Sequence, residues 1–188
     1  MLINNAGFSR GGGGIFDEPE ADIRRTFDVN ILAHFWTVRE FVPDMVRRGH
    51  GHVVTVASMS SFITAGKMVD YACTKAAALA FHEGLTQELK HWTTSNVRTS
   101  IIHPTWVRTP MIDVLTRAGN EFKQRVLTPD DVSKAVVHQV VSQTSAQVIL
   151  PSSHVGLVLL RALPTWLQEL VRSALSKEFI RLRKLMMD

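Results

Sequence analysis

Short β-branched runs alternate with long helical stretches along this chain, and that alternation narrows the folds open to it more than any other feature. His52 to Ala57 reads His-Val-Val-Thr-Val-Ala, a run with almost no polar face, as expected of a parallel strand covered on both sides. Val97 to His103 is the next strand, stopped by Pro104, and Ala146 to Leu150 is a last short one, stopped by Pro151. Leu2-Ile3 has the look of the last residues of a further buried strand. Between these runs, Glu20 to about Arg48 places Ile23, Phe27, Ile31, Phe35 and Val38 on one helical face and ends at Gly49 and Gly51. Val69 to about His91 is an alanine-rich helix whose small side chains admit a close neighbour. Thr128-Pro129-Asp130-Asp131 sets a capping residue before a proline at the first helical position, opening a helix that runs to about Ser142. Strands and helices in this order make parallel β-α-β units and an α/β, doubly wound sheet.

The chain has 188 residues, one domain's worth, and its 45% hydrophobic and 20% charged content is that of a protein with a real core. A net charge of +4 raises the question of nucleic acid, but the basic residues form no dense block and no nucleic-acid motif is present, so none is expected as a partner. The single cysteine, Cys73, excludes an intrachain disulfide and points to a reducing, intracellular setting. Eight histidines show no zinc spacing, so no metal is expected. Met1-Leu2-Ile3-Asn4-Asn5 has no basic flank and no long apolar run, so no secretory leader is read there.

Tyr71 and Lys75 stand four residues apart in Tyr-Ala-Cys-Thr-Lys, and Ser58 closes the strand-like run 13 positions before Tyr71. On a helix, positions i and i+4 share a face, so phenol and ammonium can converge. A free tyrosine titrates near pH ~10 and is a poor acid–base catalyst at neutral pH, whereas a neighbouring positive charge favours the phenolate. The trio suits proton transfer at an alcohol or carbonyl oxygen, with Ser58 holding that oxygen. The same spacing also occurs on ordinary surface helices. Gly11 to Gly14 reads as a flexible loop, because Phe16-Asp17-Glu18-Pro19 separates the glycines from the next helix and a phosphate cradle needs them joined.

Three further motifs lie in order around the trio: Asn4-Asn5-Ala6-Gly7 after the first strand, Asn30 inside the first helix, and Pro104-Thr105-Trp106-Val107-Arg108-Thr109-Pro110 after the third strand. Together these resemble the short-chain dehydrogenase/reductase family over about residues 1 to 150. The resemblance implies a partial Rossmann-like domain over 1–152 and a helical tail over 153–188. It implies NAD or NADP as cofactor, with Tyr71 as acid/base and Ser58 polarising the substrate oxygen. Lys75 would lower the tyrosine pKa and bond the nicotinamide ribose, and Asn30 would hold a water beside the lysine. Asn4, Ala6 and Gly7 would lie along the cofactor with Asn30, Tyr71 and Lys75, and Pro104, Val107 and Thr109 would bind the carboxamide. Thr105 stands where many members have Gly, which puts the geometry of that loop in question. In the family roughly 80–100 residues carrying a Gly-rich phosphate loop precede the Asn-Asn-Ala-Gly motif, so the chain is expected to be N-terminally incomplete and to bind cofactor weakly alone.

The function implied is an NAD(P)-dependent oxidoreductase acting on a small lipophilic alcohol or carbonyl, of retinoid or steroid dehydrogenase type. The other reading is a non-catalytic fragment that acts through dimerisation helices; in the family the segments matching 20–48 and 69–91 form a homodimer interface. The tail from 155 to 188 combines Val155, Leu157, Leu159, Leu160, Trp166 and Leu170 with six basic and three acidic residues. It is too interrupted to span a membrane. It reads either as cover for the substrate pocket or the dimer face, or as a peripheral contact with an intracellular membrane or lipid droplet, the alternative being a cytoplasmic protein.

Overall fold

Four parallel strands carry the centre of the structure, a computed structural model that describes residues 1–10, 14–91, 96–113, 122 and 124–184. Most of the four-glycine run, part of the 105–127 segment and the end of the tail therefore lie outside the described residues. Among the described residues the strands are β1 (Leu2–Asn4), β2 (His50–Val56), β3 (Asn96–Pro104), β4 (Trp106–Val107), β5 (Val126–Leu127) and β6 (Ala146–Leu150). The helices are α1 (Glu20–Phe27), α2 (Ala33–Arg47), α3 (Val69–His91), α4 (Pro129–Ser142) and α5 (Thr165–Lys184). The main sheet runs β1-β2-β3-β6, all parallel, with Ile3 opposite Val54, Val54 opposite Ser100 and Ser100 opposite Ala146. β4 and β5 form a small parallel pair beyond the end of β3. This is the doubly wound α/β arrangement that the alternation implies. Val53, Val54, Ile101 and Ile102 are buried on both faces of the sheet, as an apolar run without alternation requires. Every main strand ends at the same edge, so Asn4, Ser58, Pro104 and Leu150 arrive there together.

The helix boundaries follow local chemistry. Thr128 caps α4: its side chain accepts from Asp131 N–H while the Asp131 carboxylate accepts from Thr128 N–H, a reciprocal capping box. Gly49 ends α2 in the left-handed region at φ 74°, where glycine carries no Cβ penalty. Gly51 leaves room for Met45, since a Cβ there would lie 2.6 Å from that side chain.

The long helix expected over 20–48 differs in two ways. It is split by a five-residue π-helical turn, Asp28–Leu32, which widens the coil at Asn30. The expected apolar face is also only partly buried: Ile31 goes in and Ile23 and Val38 are half-buried, but Phe27 and Phe35 are exposed. Thr26, Asn30, Ile31 and His34 are buried, while Phe27, Leu32, Phe35, Trp36 and Phe41 are exposed. The helix lays a mainly polar stripe against the site end of α3, and tertiary hydrogen bonding there prevails over the hydrophobic pattern. Further along, Val42 and Met45 return to the core beside Val53 and Leu89.

The tail is helical: a 3₁₀ stretch, Ser152–Ala162, leads into α5. Leu160 is buried with Met59, Phe62, Ile63 and Ile149, and Leu157, Val158, Val171 and Leu175 pack around them. Arg161 Nε donates to the Phe62 carbonyl at 3.0 Å, and Gly66 N–H donates to Ser176 Oγ at 2.8 Å. Val155, Leu159, Trp166 and Leu170 face outward, each more than half exposed. No helix among the described residues is long and apolar enough to cross a membrane.

Burial holds three histidines neutral. His34, His82 and His103 are each lowered to about 4, chiefly by desolvation. Their folded pKa values lie below the unfolded value near ~6.5, so between these limits the unfolded chain binds more protons. Their contribution is complete above that unfolded value and is lost as pH falls toward 4. Each histidine removes up to about 1.4 kcal/mol per pH unit in that window. The urea midpoint is expected to be clearly lower at pH 5 than at pH 7.5. Equal midpoints would show that the three rings are not buried neutral.

Candidate active site

The chain leaves β2 at Val56 and turns at once. Ser58, fully extended at φ −170°, caps the short 3₁₀ turn Met59–Ser61, its Oγ accepting from Ser60 N–H at 3.1 Å. Ser61 Oγ then donates to the Lys75 carbonyl at 2.8 Å, tying this turn to α3. The first turns of α3 are thereby pressed against the strand ends. Thr74 and Lys75 are buried on the inward face, and Tyr71 lies one turn earlier on that side.

Lys75 Nζ donates to the Val56 carbonyl at 3.1 Å and stands 5.6 Å from the centre of the Tyr71 ring. The other two ammonium protons have no partner among the described residues. Burial lowers Lys75 to about 8. Tyr71 is raised above its ordinary value by burial, and a hydrogen bond with Ser58 pulls it the other way. The expectation that Lys75 lowers the phenol is therefore not met in this structure. The ammonium points at a main-chain carbonyl from beside the ring, and the group that favours the phenolate is Ser58.

Asn30 is fully buried and clasps three segments. Its Oδ1 accepts from Phe8 N–H at 2.7 Å, and its Nδ2 donates to the Phe8 carbonyl at 2.9 Å and to Thr74 Oγ1 at 3.0 Å. Thr74 Oγ1 in turn donates to the Tyr71 carbonyl at 2.7 Å. The side-chain amide is thus engaged with protein groups, its two N–H groups both donating and its oxygen accepting once.

Gly7 completes the cluster. A Cβ built on it would lie 3.8 Å from Lys75 Nζ and 3.9 Å from Asn30 Oδ1, ordinary contact distances. Gly7 therefore borders the ammonium without being forced by a protein neighbour to be glycine. Ala6 is exposed beside it. Asn4 is buried, with Oδ1 accepting from Thr37 Oγ1 at 2.8 Å and Nδ2 unpartnered among the described residues. It joins β1 to α2 and makes no hydrogen bond to the trio among the described residues. Pro104 ends β3, Val107 pairs with Leu127, and Thr109 Oγ1 donates to the Val107 carbonyl at 3.3 Å. These three lie beyond the same end of the sheet as the trio and make no hydrogen bond to its side chains among the described residues. Thr105 N–H donates to the Leu150 carbonyl at 2.9 Å. Its φ is not positive, so threonine fits where many relatives of this pattern carry glycine.

Sequence reasoning missed two residues. Thr74 links Asn30 to Tyr71, and its only signal is its place before Lys75. His103, fully buried, reaches the Ser58 carbonyl with Nδ1 at 3.0 Å, and its signal is a histidine directly after Ile101-Ile102 at the end of a strand.

The arrangement places a hydroxyl, a phenol and an ammonium at the carboxyl ends of parallel strands, where open α/β sheets bind ligands. Comparison with known proteins agrees. The short chain dehydrogenase family model matches residues 1–119. Estradiol 17-beta-dehydrogenase 11 of Homo sapiens is 33% identical over 181 residues, 95% of this chain and 58% of that protein. Dehydrogenase RED3 of Cochliobolus heterostrophus is 56% identical over 90 residues, 48% of this chain and 45% of that protein. Among solved structures, 4-hydroxyisoleucine dehydrogenase complexed with NADH superposes with a TM-score of 0.67 at 20% identity, over 79% of this chain and 66% of that one. The chain spans about half the length of the curated relatives it matches. On this family match and the order of its motifs, the chain belongs to the short chain dehydrogenase family.

Proposed function

We propose that this chain supplies the acid–base centre of an NAD(P)-dependent oxidoreductase that interconverts an alcohol and a carbonyl on a small lipophilic substrate. The observation that carries the reading is the convergence of Ser58, Tyr71 and Lys75 at the end of β2. The cofactor fits the residues present: Lys75 keeps two donors unpartnered among the described residues, and the bare backbone of Gly7 lies beside it. Lys75 would hold the nicotinamide ribose, and the segment from Pro104 to Thr109 would hold the carboxamide. The bound nicotinamide would exchange the hydride. In the reducing direction Ser58 donates a hydrogen bond to the carbonyl oxygen, and Tyr71 delivers the proton to that oxygen as charge develops on it. In the oxidising direction Tyr71 takes the proton from the hydroxyl. The phenolate so formed is favoured by the hydrogen bond from Ser58. The lipophilic substrate class is supported by the likeness to an estradiol dehydrogenase and by the apolar tail packed on the Ser58 turn.

Tyr71→Phe in a full-length protein containing this chain is expected to lower alcohol oxidation by at least 100-fold, the usual worth of a positioned acid–base group. Cofactor affinity should change little. A variant that keeps more than a tenth of the parent rate would overturn the assignment.

Lys75 carries a stability cost that a catalytic role explains. Its pKa falls from 10.5 to about 8 by burial. At pH 7 the group is charged whether folded or unfolded, so the penalty, roughly 3 kcal/mol, is fully present there. It fades as pH rises through the folded pKa toward the unfolded one. Lys75→Met is expected to raise the urea midpoint at pH 7 and to abolish turnover. A lower midpoint would mean that the ammonium is a structural tie.

Two finer readings concern partners. Exposed Phe27, Leu32, Phe35 and Trp36 on α1 and α2 support a homodimer through this face and α3. They equally support the second reading, a non-catalytic fragment that pairs with a full-length relative. The outward Leu159, Trp166 and Leu170, with Lys177 and Arg181 further along α5, support peripheral contact with an anionic membrane. Sedimentation is expected to give a dimer that Trp36→Glu converts to monomer. Flotation with anionic vesicles should recover the chain at low salt and lose it with Trp166→Glu. A monomeric parent removes the first reading, and a parent that stays with the soluble fraction removes the second.

A further inference from the structure

The parallel ladder between β2 and β3 stops just short of the site. Ala57 N–H donates to the Ile102 carbonyl at 2.8 Å, but the next donor on β3 would be Pro104, which has no N–H. The connection is continued by a side chain. His103 Nδ1 lies 3.0 Å from the Ser58 carbonyl, and the ring packs against Phe62 with centroids 4.8 Å apart. A carbonyl only accepts, so Nδ1 carries the ring proton and Nε2 is left as a bare acceptor, unpartnered among the described residues. Ser61 N–H also donates to the Ser58 carbonyl, at 3.0 Å, but that bond is internal to the turn. The His103 bond is the one that ties Ser58 to a neighbouring strand.

We propose that His103 is a positioning residue that fixes Ser58 against Tyr71 by holding the Ser58 carbonyl from β3. The proposal rests on the reading of Ser58 and Tyr71 given above. Ser58 has an extended backbone and a hydroxyl that already accepts from Ser60 N–H, so its remaining freedom is rotation of the whole residue about the strand end. A donor on its carbonyl removes that freedom. The ring is neutral at every working pH, being lowered to about 4 by burial, so it acts as a fixed donor and takes no part in proton transfer.

The test needs no turnover, because Tyr71 is the chain's single tyrosine and its ionisation is read directly from tyrosinate absorbance. Ser58→Ala removes the bond that favours the phenolate and should move the Tyr71 transition upward; this sets the full effect. His103→Leu should move it upward by a similar amount, with far-UV circular dichroism unchanged. His103→Asn, whose amide can place an N–H near the Nδ1 position, should restore most of the parent value, and His103→Gln should not. Nitrogen-15 NMR of the parent adds a measurement that needs no variant to fold, and it should find His103 in the Nδ1–H form. The proposal is overturned if His103→Leu folds and leaves the Tyr71 transition in place, or if the parent ring carries its proton on Nε2. Absence of alcohol oxidation by a full-length protein containing this chain, with these optical shifts intact, would instead overturn the reading of function and leave the positioning role standing.

Discussion

One buried amide holds the site end of this molecule together. Asn30 bonds both main-chain groups of Phe8 and the hydroxyl of Thr74, so the loop after β1, the junction of α1 with α2 and the first turn of α3 are fixed to one another. The amide's one acceptor atom and both of its N–H groups act inside a region closed to water, where an unpaired polar group is costly. That explains the π-helical turn. A regular helix from Glu20 to Arg47 would not leave the coil widened at Asn30, and the irregularity is retained because the bonds it permits are many. Lys75 follows Thr74 directly, and Gly7 precedes Phe8, so the meeting of ammonium and glycine backbone is a consequence of this clasp.

Much of the fold could be read from the sequence because the parallel strands are apolar on both faces and their stops are chemically explicit: Pro104 and Pro151 after strands, Gly49 after a helix, Thr128 before one. The trio was legible for a similar reason, since i and i+4 on a helix is a geometric statement. What escaped the sequence was direction. Phe27 and Phe35 read as core, yet they face outward while Thr26, Asn30 and His34 go in. Hydrophobic periodicity reports which face is apolar and is silent about whether that face meets this chain or something else. The electrostatic sense of Lys75 escaped for a related reason. Spacing puts it near Tyr71, but its pull depends on where the ammonium points, and the Val56 carbonyl decides that.

The site also concentrates what is unfavourable in the fold. Among the described residues, a lysine with a single carbonyl partner, a phenol made harder to ionise by burial, and histidines with unpartnered ring nitrogens lie around the carboxyl ends of the strands. The rest of the sheet is satisfied by its ladder and by apolar cover. At its opposite end the polar groups are paired: His52 Nε2 meets Ser100 Oγ at 2.9 Å, and Ser100 Oγ donates to the Thr144 carbonyl at 3.0 Å. Because that serine gives its proton to a carbonyl, the histidine must donate to it, the reverse of a nucleophile with its base. The two ends of one sheet thus separate structural polarity from polarity held in reserve for a ligand.

The tail turns two faces to two different surroundings. Leu160 and Val171 pack on the Ser58 turn, and Trp166 and Leu170 look away from it. A helix with its side chains is about 10–12 Å across, so whatever rests on the outer face stands one helix diameter from the turn that carries Ser58. A poorly soluble molecule released at that outer surface would therefore start within about 10–12 Å of that turn.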